Sequence, residues 1–356
     1  MSIIHVVSMS GGKDSTACAL LALKTHAREE IRFVFADTGN EHPLVYEYLD
    51  YLEGRLDIEI VRLKRDFREW WWRRRDYVRD VWPEKLVKPV RTQVGTRVVA
   101  EFDEDEIDED GQRKEINYDV GIFELRPAFT REEADAVVAR ALVTYEKGPT
   151  GNPYLDLCII KGRFPSRRAQ FCTQFLKTEP LTEYAIGIID QGHQVWSWQG
   201  VRAEESPGRA KALEFEEVGG GLFNFRPIKH WTAEQVFEAH RAGGVEPNPL
   251  YKLGMKRVGC MPCINANKAE ISEIFRRFPE QFDRIEEWES LVRLAGKRHN
   301  ISSFFPAPED GRAERQGRNI REVIRWAQTT RGGKQFDLIK ATEELPACSS
   351  AYGLCE

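Results

Sequence analysis

Residues 5–23 read HVVSMSGGKDSTACALLAL. The apolar stretch IIHVV at 3–7 leads into Ser10-Gly11-Gly12-Lys13-Asp14-Ser15, and an Ala/Leu-rich segment follows. A short unbroken apolar run bounded by glycines suits a buried strand. The alanines and leucines from Ser15 to Ala27 suit a helix. A glycine turn between the two lets successive backbone N–H groups point into one concavity, and the helix adds its positive N-terminus. That is a cradle for phosphate. Ser10 and Ser15 can donate hydroxyl hydrogen bonds, and Lys13 supplies a point charge.

The same rhythm continues downstream. IRFVFA at 31–36 reads as a second buried strand ending in Asp37-Thr38-Gly39, then a helix over 43–55 and a third strand, IEIVRL, at 58–63. Alternating strands and helices imply an α/β fold with a doubly wound, mainly parallel sheet. Ligands in such sheets bind at the carboxyl ends of strands, where both the SGGKDS and DTG turns fall. The candidate nucleotide-binding residues are therefore Ser8, Ser10, Gly11, Gly12, Lys13, Asp14, Ser15, Asp37, Thr38 and Gly39. Residues 66–125, with DFREWWWRRRD and the acidic EFDEDEIDEDG, break the rhythm and read as an insertion. It resumes with a helix at 173–188 and a strand at 193–201. After Pro227 the pattern is helical, at 232–242, 268–278, 281–297 and 318–328. The expected layout is a nucleotide-binding α/β domain over 1–225 and a mostly helical region over 226–356.

A chain that is 41% hydrophobic and 31% charged suits a globular protein, and a formal charge of −5 does not mark it globally as a nucleic-acid binder. No run approaches the ~20 apolar residues of a membrane span. The expectation is a cytoplasmic protein with no membrane partner. Its seven cysteines then point to metal or thiol chemistry before disulfides. Nothing in the sequence specifies an oligomeric state.

SGGKDS is not a Walker A loop, which would place Gly at 7 and Ser or Thr at 14; this chain has Val7 and Asp14. It resembles instead the pyrophosphate loop of the N-type ATP pyrophosphatases. FADTGNEHPLVYEYL (35–49), FCTQFLKTEPL (171–181), GVRAEESPGRA (200–210), RPIKHWTAEQVFEAH (226–240) and NPLYKLGMKRVGCMPC (248–263) resemble, in order, segments of the phosphoadenosine phosphosulfate (PAPS) reductase family. The resemblance spans residues 5 to about 265 and leaves out the insertion and the tail. It implies an adenine nucleotide ligand. An intact loop implies ATP with Mg²⁺ held partly by Asp14, cleavage between the α- and β-phosphates, and adenylation of an acceptor, for sulfur transfer from a donor protein. Lys13, Asp14 and Arg202 are the candidate catalytic residues. The alternative is a sulfonucleotide reductase, whose C-terminal Glu-Cys-Gly-Leu-His motif is absent; the chain ends CSSAYGLCE. A third reading is a nucleotide-gated component that acts on nucleic acid, as DNA phosphorothioation proteins of this scaffold do.

Cys260-Met-Pro-Cys263 can hold a metal or cluster; by itself it is ambiguous between zinc, iron–sulfur and a redox pair. The resemblance adds Cys172 and implies a 4Fe–4S cluster, although Phe171 stands where cluster-bearing relatives have a further cysteine. The expected fourth ligand is Cys348 or Cys355. Cys18 and Cys158 read as small buried hydrophobes. Trp70 to Trp72 with Arg73 to Arg75 could stack bases and neutralise phosphates, or form a helix with some tryptophan faces buried. Lys161, Arg163, Arg167 and Arg168 could bind a polyanion or be ordinary surface charge. Asp37 could bind ribose or Mg²⁺, or cap the next helix. The histidines show no metal spacing and read as structural.

Overall fold

The computed structural model describes residues 2–107, 113–297, 303–305 and 319–330. Its strands are β1 (Ile3–Met9), β2 (Ile31–Asp37), β3 (Ile60–Lys64), β4 (Pro89–Ile107), β5 (Arg113–Pro127), β6 (Gln194–Trp198), β7 (Phe215–Gly219) and β8 (Leu222–Phe225). Its helices are α1 (Lys13–Thr25), α2 (Pro43–Leu56), α3 (Arg68–Asp80), α4 (Trp82–Leu86), α5 (Arg131–Tyr145), α6 (Pro153–Lys161), α7 (Phe171–Thr173), α8 (Glu179–Ile189), α9 (Pro207–Ala210), α10 (Ala233–Ala242), α11 (Pro249–Lys252), α12 (Lys268–Arg277), α13 (Glu280–Ala295) and α14 (Ile320–Ala327). They form two compact units, Met1–Glu69 with Pro149–Glu356, and Trp70–Gly148.

The first unit carries a six-stranded sheet in the order β3-β2-β1-β6-β8-β7. All neighbours are parallel except the edge pair β7 and β8. The doubly wound α/β expectation is met. β1 is apolar on both faces because both are covered. Val7 and Met9 join the core beneath α1 and α2, while Ile4 and Val6 pack on the other face with Ala185 of α8. Strand order reverses at β1, with β2 on one side and β6 on the other. In such sheets that reversal opens a crevice at the strands' carboxyl ends.

One feature was not expected: β7 and β8 extend the sheet through a turn with positive φ at Gly219, Gly220 and Gly221. Within the first unit α10 packs along α1. Of the expected insertion at 66–125, residues 70–125 lie in the second unit. That unit holds most of α3, then α4, α5 and a two-stranded antiparallel ribbon, β4 with β5. Trp71 is fully buried there, its indole N–H donating to the Tyr145 carbonyl at 2.9 Å.

Candidate functional site

The chain leaves β1 at Met9 and turns through Gly11, whose φ of +69° suits glycine. A Cβ there would also come within 2.8 Å of Val45 Cγ1. Ser15 Oγ accepts from the Ser10 N–H at 3.1 Å and donates to the Gly12 carbonyl at 2.9 Å, closing the turn on itself. Three side chains from far downstream hold it from behind. The Tyr251 hydroxyl accepts from the Lys13 N–H at 3.0 Å, Asn248 Nδ2 donates to the Gly11 carbonyl at 3.0 Å, and His240 Nε2 meets the Lys13 carbonyl at 2.8 Å. All three are buried.

Lys13 is the first residue of α1 and only 3% exposed. A cation there opposes the helix dipole, and burial depresses its pKa; Asp14, at 2.6 Å, opposes that shift. The open side of the turn is a cleft of about 300 Å³. Lys13, Lys177, Arg209, Lys256 and Arg257 line it against the carboxylates of Asp14 and Glu205. Burial lowers the pKa of Arg209, and the neighbouring Arg257 lowers it further. Cations are thus crowded where the loop, the helix end and the strand reversal meet, an arrangement that suits a polyanion.

Arg202 is 3% exposed, its Nε 2.6 Å from Asp14 Oδ1 and its Nη1 bonded to Glu204. It faces carboxylates in this state, and Asp14 sits between two cations. Asp37 accepts from the Gly39 N–H at 3.0 Å and from the Tyr46 hydroxyl at 2.7 Å. It caps its own turn; the N-cap of α2 is His42, whose Nδ1 accepts from the Leu44 N–H. The DTG turn reaches the thiols rather than the SGGKDS loop. Thr38 Oγ1 lies 3.5 Å from Cys260 Sγ, the Met261 N–H donates to the Asn40 carbonyl at 2.7 Å, and Asn40 Nδ2 donates to the Pro262 carbonyl at 2.9 Å.

Cys172, Cys260 and Cys263 form a second centre beside this one. Lys177 lies in the π turn Gln174–Thr178 after α7 and lines both the cleft and an adjoining chamber that reaches Cys260 and Cys263. Burial pushes the Cys260 thiol up to about 12 and raises Cys172, with Lys177 opposing both shifts. Cys260 above all, with Glu41 and the other two thiols, holds the Lys177 ammonium above its ordinary range. Arg284 Nη2 donates to Asn40 Oδ1 at 3.0 Å and to the Met261 carbonyl. The Tyr154 hydroxyl is buried without a partner and within electrostatic reach of Cys172, Cys260 and Cys263. Two cations and an unpaired hydroxyl donor surround the three thiols, opposed by the buried Glu41 carboxylate, whose Oε1 accepts from Cys260 Sγ at 3.5 Å; the cations and hydroxyl fit an anionic, thiolate-ligated group. Among the described residues only His5, His26 and Glu30 place three ligand atoms within 4.8 Å of one another. Tetrahedral zinc, with bonds of about 2.3 Å, needs sulfurs roughly 3.8 Å apart. The sulfurs of Cys172, Cys260 and Cys263 do not all lie that close together. Cys348 and Cys355 lie outside the described residues.

A model of the phosphoadenosine phosphosulfate reductase domain matches residues 4–115 and 155–266. The chain belongs to the PAPS reductase family. Within the family it is 41% identical over 368 residues to the uncharacterized 37.8 kDa protein in the gpa 5′ region of Escherichia phage 186, covering 100% of this chain and 97% of that one. An adenosine 5′-phosphosulfate reductase of Neisseria meningitidis serogroup A is 31% identical over 167 residues, 43% of this chain and 65% of the reductase. A crystal structure of PAPS reductase from Candida auris, a phosphate complex, covers 74% of this chain and 83% of its own, with 13% identity and a TM-score of 0.37.

The other candidates fall elsewhere. In the second unit Arg74 lies over the rings of Tyr77 and Trp82, and Arg75 over Trp72 while pairing with Asp76. Trp71 is buried, while Trp72 and Arg73 are exposed, so only part of this stretch serves packing. Lys161 lies over Phe175 and Arg163 over Phe171. The His5, His26 and Glu30 group does not suit a metal. An indole N–H only donates, so His5 Nδ1, 3.1 Å from Trp198 Nε1, is an acceptor and the ring's proton sits on Nε2. No described helix is long and apolar enough to cross a membrane. The sequence reading omitted Tyr251, Asn248, Lys256 and Arg257, although the NPLYKLGMKRVGCMPC segment contains them all.

Proposed function

We propose that this family member binds ATP with Mg²⁺ in the SGGKDS cleft and cleaves the α–β bond to adenylate an acceptor. The observation that carries this reading is Lys13, a buried cation at the positive end of α1 facing four further cations across the cleft. Five cations against the carboxylates of Asp14 and Glu205 leave the cleft with a surplus of positive charge, and a pyrophosphate group fits it. Asp14 is the carboxylate that would hold Mg²⁺, which when bound screens the phosphates and stabilises the leaving group. Lys13, with Lys177, Lys256 and Arg257 of the cleft lining, binds the β- and γ-phosphates. An acceptor oxygen attacks the α-phosphorus, the bond to the bridging oxygen breaks, and its electron pair leaves with pyrophosphate. Catalysis is mainly electrostatic. Arg202, held here by Asp14 and Glu204, would be the arginine that meets the developing charge once it leaves Asp14. Sulfur from a donor protein would then displace AMP from the acceptor.

Cys172, Cys260 and Cys263, with a fourth thiolate, would hold a 4Fe–4S cluster, with Lys177 between it and the nucleotide. A second reading, sulfonucleotide reduction, is supported by the adenosine 5′-phosphosulfate reductases among the relatives. For nucleic-acid modification the Trp70–Arg75 stretch offers only the exposed Trp72 and Arg73, outside the cleft lining.

The test uses anaerobically purified protein with ATP, Mg²⁺ and candidate acceptors. Acceptor-dependent pyrophosphate release, lost in Asp14→Ala, is expected. No pyrophosphate with any acceptor, together with unchanged ATP affinity in Asp14→Ala, would overturn the reading. Thioredoxin-dependent sulfite release from adenosine 5′-phosphosulfate or PAPS would replace it with the reductase.

A further inference from the structure

A thiolate-ligated 4Fe–4S cluster requires four ligands, and the described corner gathers three cysteines from the motif segments. Cys158, a fourth cysteine and a buried one, is within electrostatic reach of this group. Cys158 on α6 is 1% exposed and lies one helical turn from Tyr154, on the same face. Buried hydroxyls are normally hydrogen-bonded; that of Tyr154 is not.

Two chains of contact bracket this face. The Tyr154 ring stacks on Trp288 of α13 at 5.6 Å, and the Arg284 guanidinium lies 4.8 Å from the same indole. Arg284 in turn donates to the carbonyl of Met261, inside the Cys260–Cys263 loop. So α6 and that loop lean on one stretch of α13. On the other side the Arg163 N–H donates to the Cys158 carbonyl at 3.1 Å, and the Arg163 side chain covers Phe171, the neighbour of Cys172. Tyr154 is within electrostatic reach of Cys158, Cys172, Cys260 and Cys263, and Cys158 of Cys172.

We propose that Cys158 supplies the fourth thiolate of a cluster completed by Cys172, Cys260 and Cys263, with the Tyr154 hydroxyl donating a hydrogen bond into it. This rests on the cluster reading above. It places the whole ligand set in one packed corner and assigns no ligand role to Cys348 or Cys355.

The test counts iron and acid-labile sulfide per chain in the anaerobically purified full-length protein, with absorption and electron paramagnetic resonance spectra. Wild type should hold about four irons. Cys158→Ala and Cys172→Ala should both fall to three or fewer, while Cys348→Ala and Cys355→Ala keep four. Cys18→Ala, a buried cysteine on α1, controls for packing, and near-UV circular dichroism shows that each variant is folded. If Cys158→Ala does not fold, Cys158→Ser replaces it, and a shifted cluster spectrum is expected. Tyr154→Phe should keep four irons and lower the midpoint potential, since it removes a hydrogen bond to the cluster. Four irons with an unchanged spectrum in a folded Cys158 variant, or loss of iron in a tail variant alone, overturns the proposal. A wild type without iron overturns the cluster reading itself.

Discussion

Gly200 is where a single methyl group should test the architecture of the cleft. The chain leaves β6 and passes the first turn of α1 so closely that a Cβ on Gly200 would lie 2.9 Å from Asp14 C and Ser15 N, and 3.1 Å from Asp14 O. These are backbone atoms of a helix start and cannot rotate away. Restoring an ordinary contact of 3.4 Å requires a displacement of roughly 0.5 Å, about the tolerance of a binding constellation. Gly200→Ala should therefore cost about 2 kcal/mol, within the range for overpacking, and lower Tm by ~4–8 °C. ATP affinity measured calorimetrically with Mg²⁺ should fall at least about tenfold, because the displaced atoms belong to the phosphate loop. Gly54→Ala and Gly187→Ala provide the contrast. Both lie in helices with nothing within 4 Å of the added Cβ, so each should stabilise by about 1 kcal/mol and leave ATP binding alone. A Gly200→Ala protein that melts with wild type and binds ATP equally well would refute the close approach.

Further outcomes follow from buried polar groups. Asn248→Ala frees the Gly11 carbonyl and the Leu250 N–H; it should cost about 1–3 kcal/mol and weaken ATP binding, both visible in a ligand-dependent melting shift. Glu289 is 1% exposed and accepts from the N–H groups of Phe304 and Ile320 at 2.7 and 2.9 Å, so Glu289→Ala, which orphans two donors, should cost about 2–5 kcal/mol by thermal melting. His5 is lowered from 6.5 to about 4, chiefly by burial and then by His26. The unfolded chain binds the proton more tightly, so this stability is present above pH 6.5 and lost as pH falls towards 4, by about 3 kcal/mol at most. His5→Gln should flatten that part of the pH–melting curve.

Much of this was legible in the sequence because local pattern and tertiary role agree there. IIHVV is buried on both faces, so its composition alone marks a strand, and SGGKDS carries the turn and helix start together. The helices of the second half follow apolar periodicity, and several have strong caps, such as Thr232 with Gln235 and Asn267 with Glu270. β7 and β8 were hidden because FEEVG and LFNF are short and half-exposed, although the three glycines between them are a hairpin signal. The grouping of candidate residues was harder. DTG and SGGKDS both end parallel strands, which suggests one shared ligand, yet Thr38 turns to Cys260. Nor can periodicity show that Tyr154 and Cys158, in a helix apolar on nearly every side, come within electrostatic reach of other cysteines.

The three buried contacts behind the loop also fix when it can work. Its glycines and Lys13 leave the ribosome before Asn248 and Tyr251, which are made almost 240 residues later. At about 5–20 residues per second, that is a delay of roughly 10–50 s. For that interval the nascent chain carries the whole motif without the side chains that shape it. The nucleotide capture proposed above would therefore be gained only when the 240–251 segment docks.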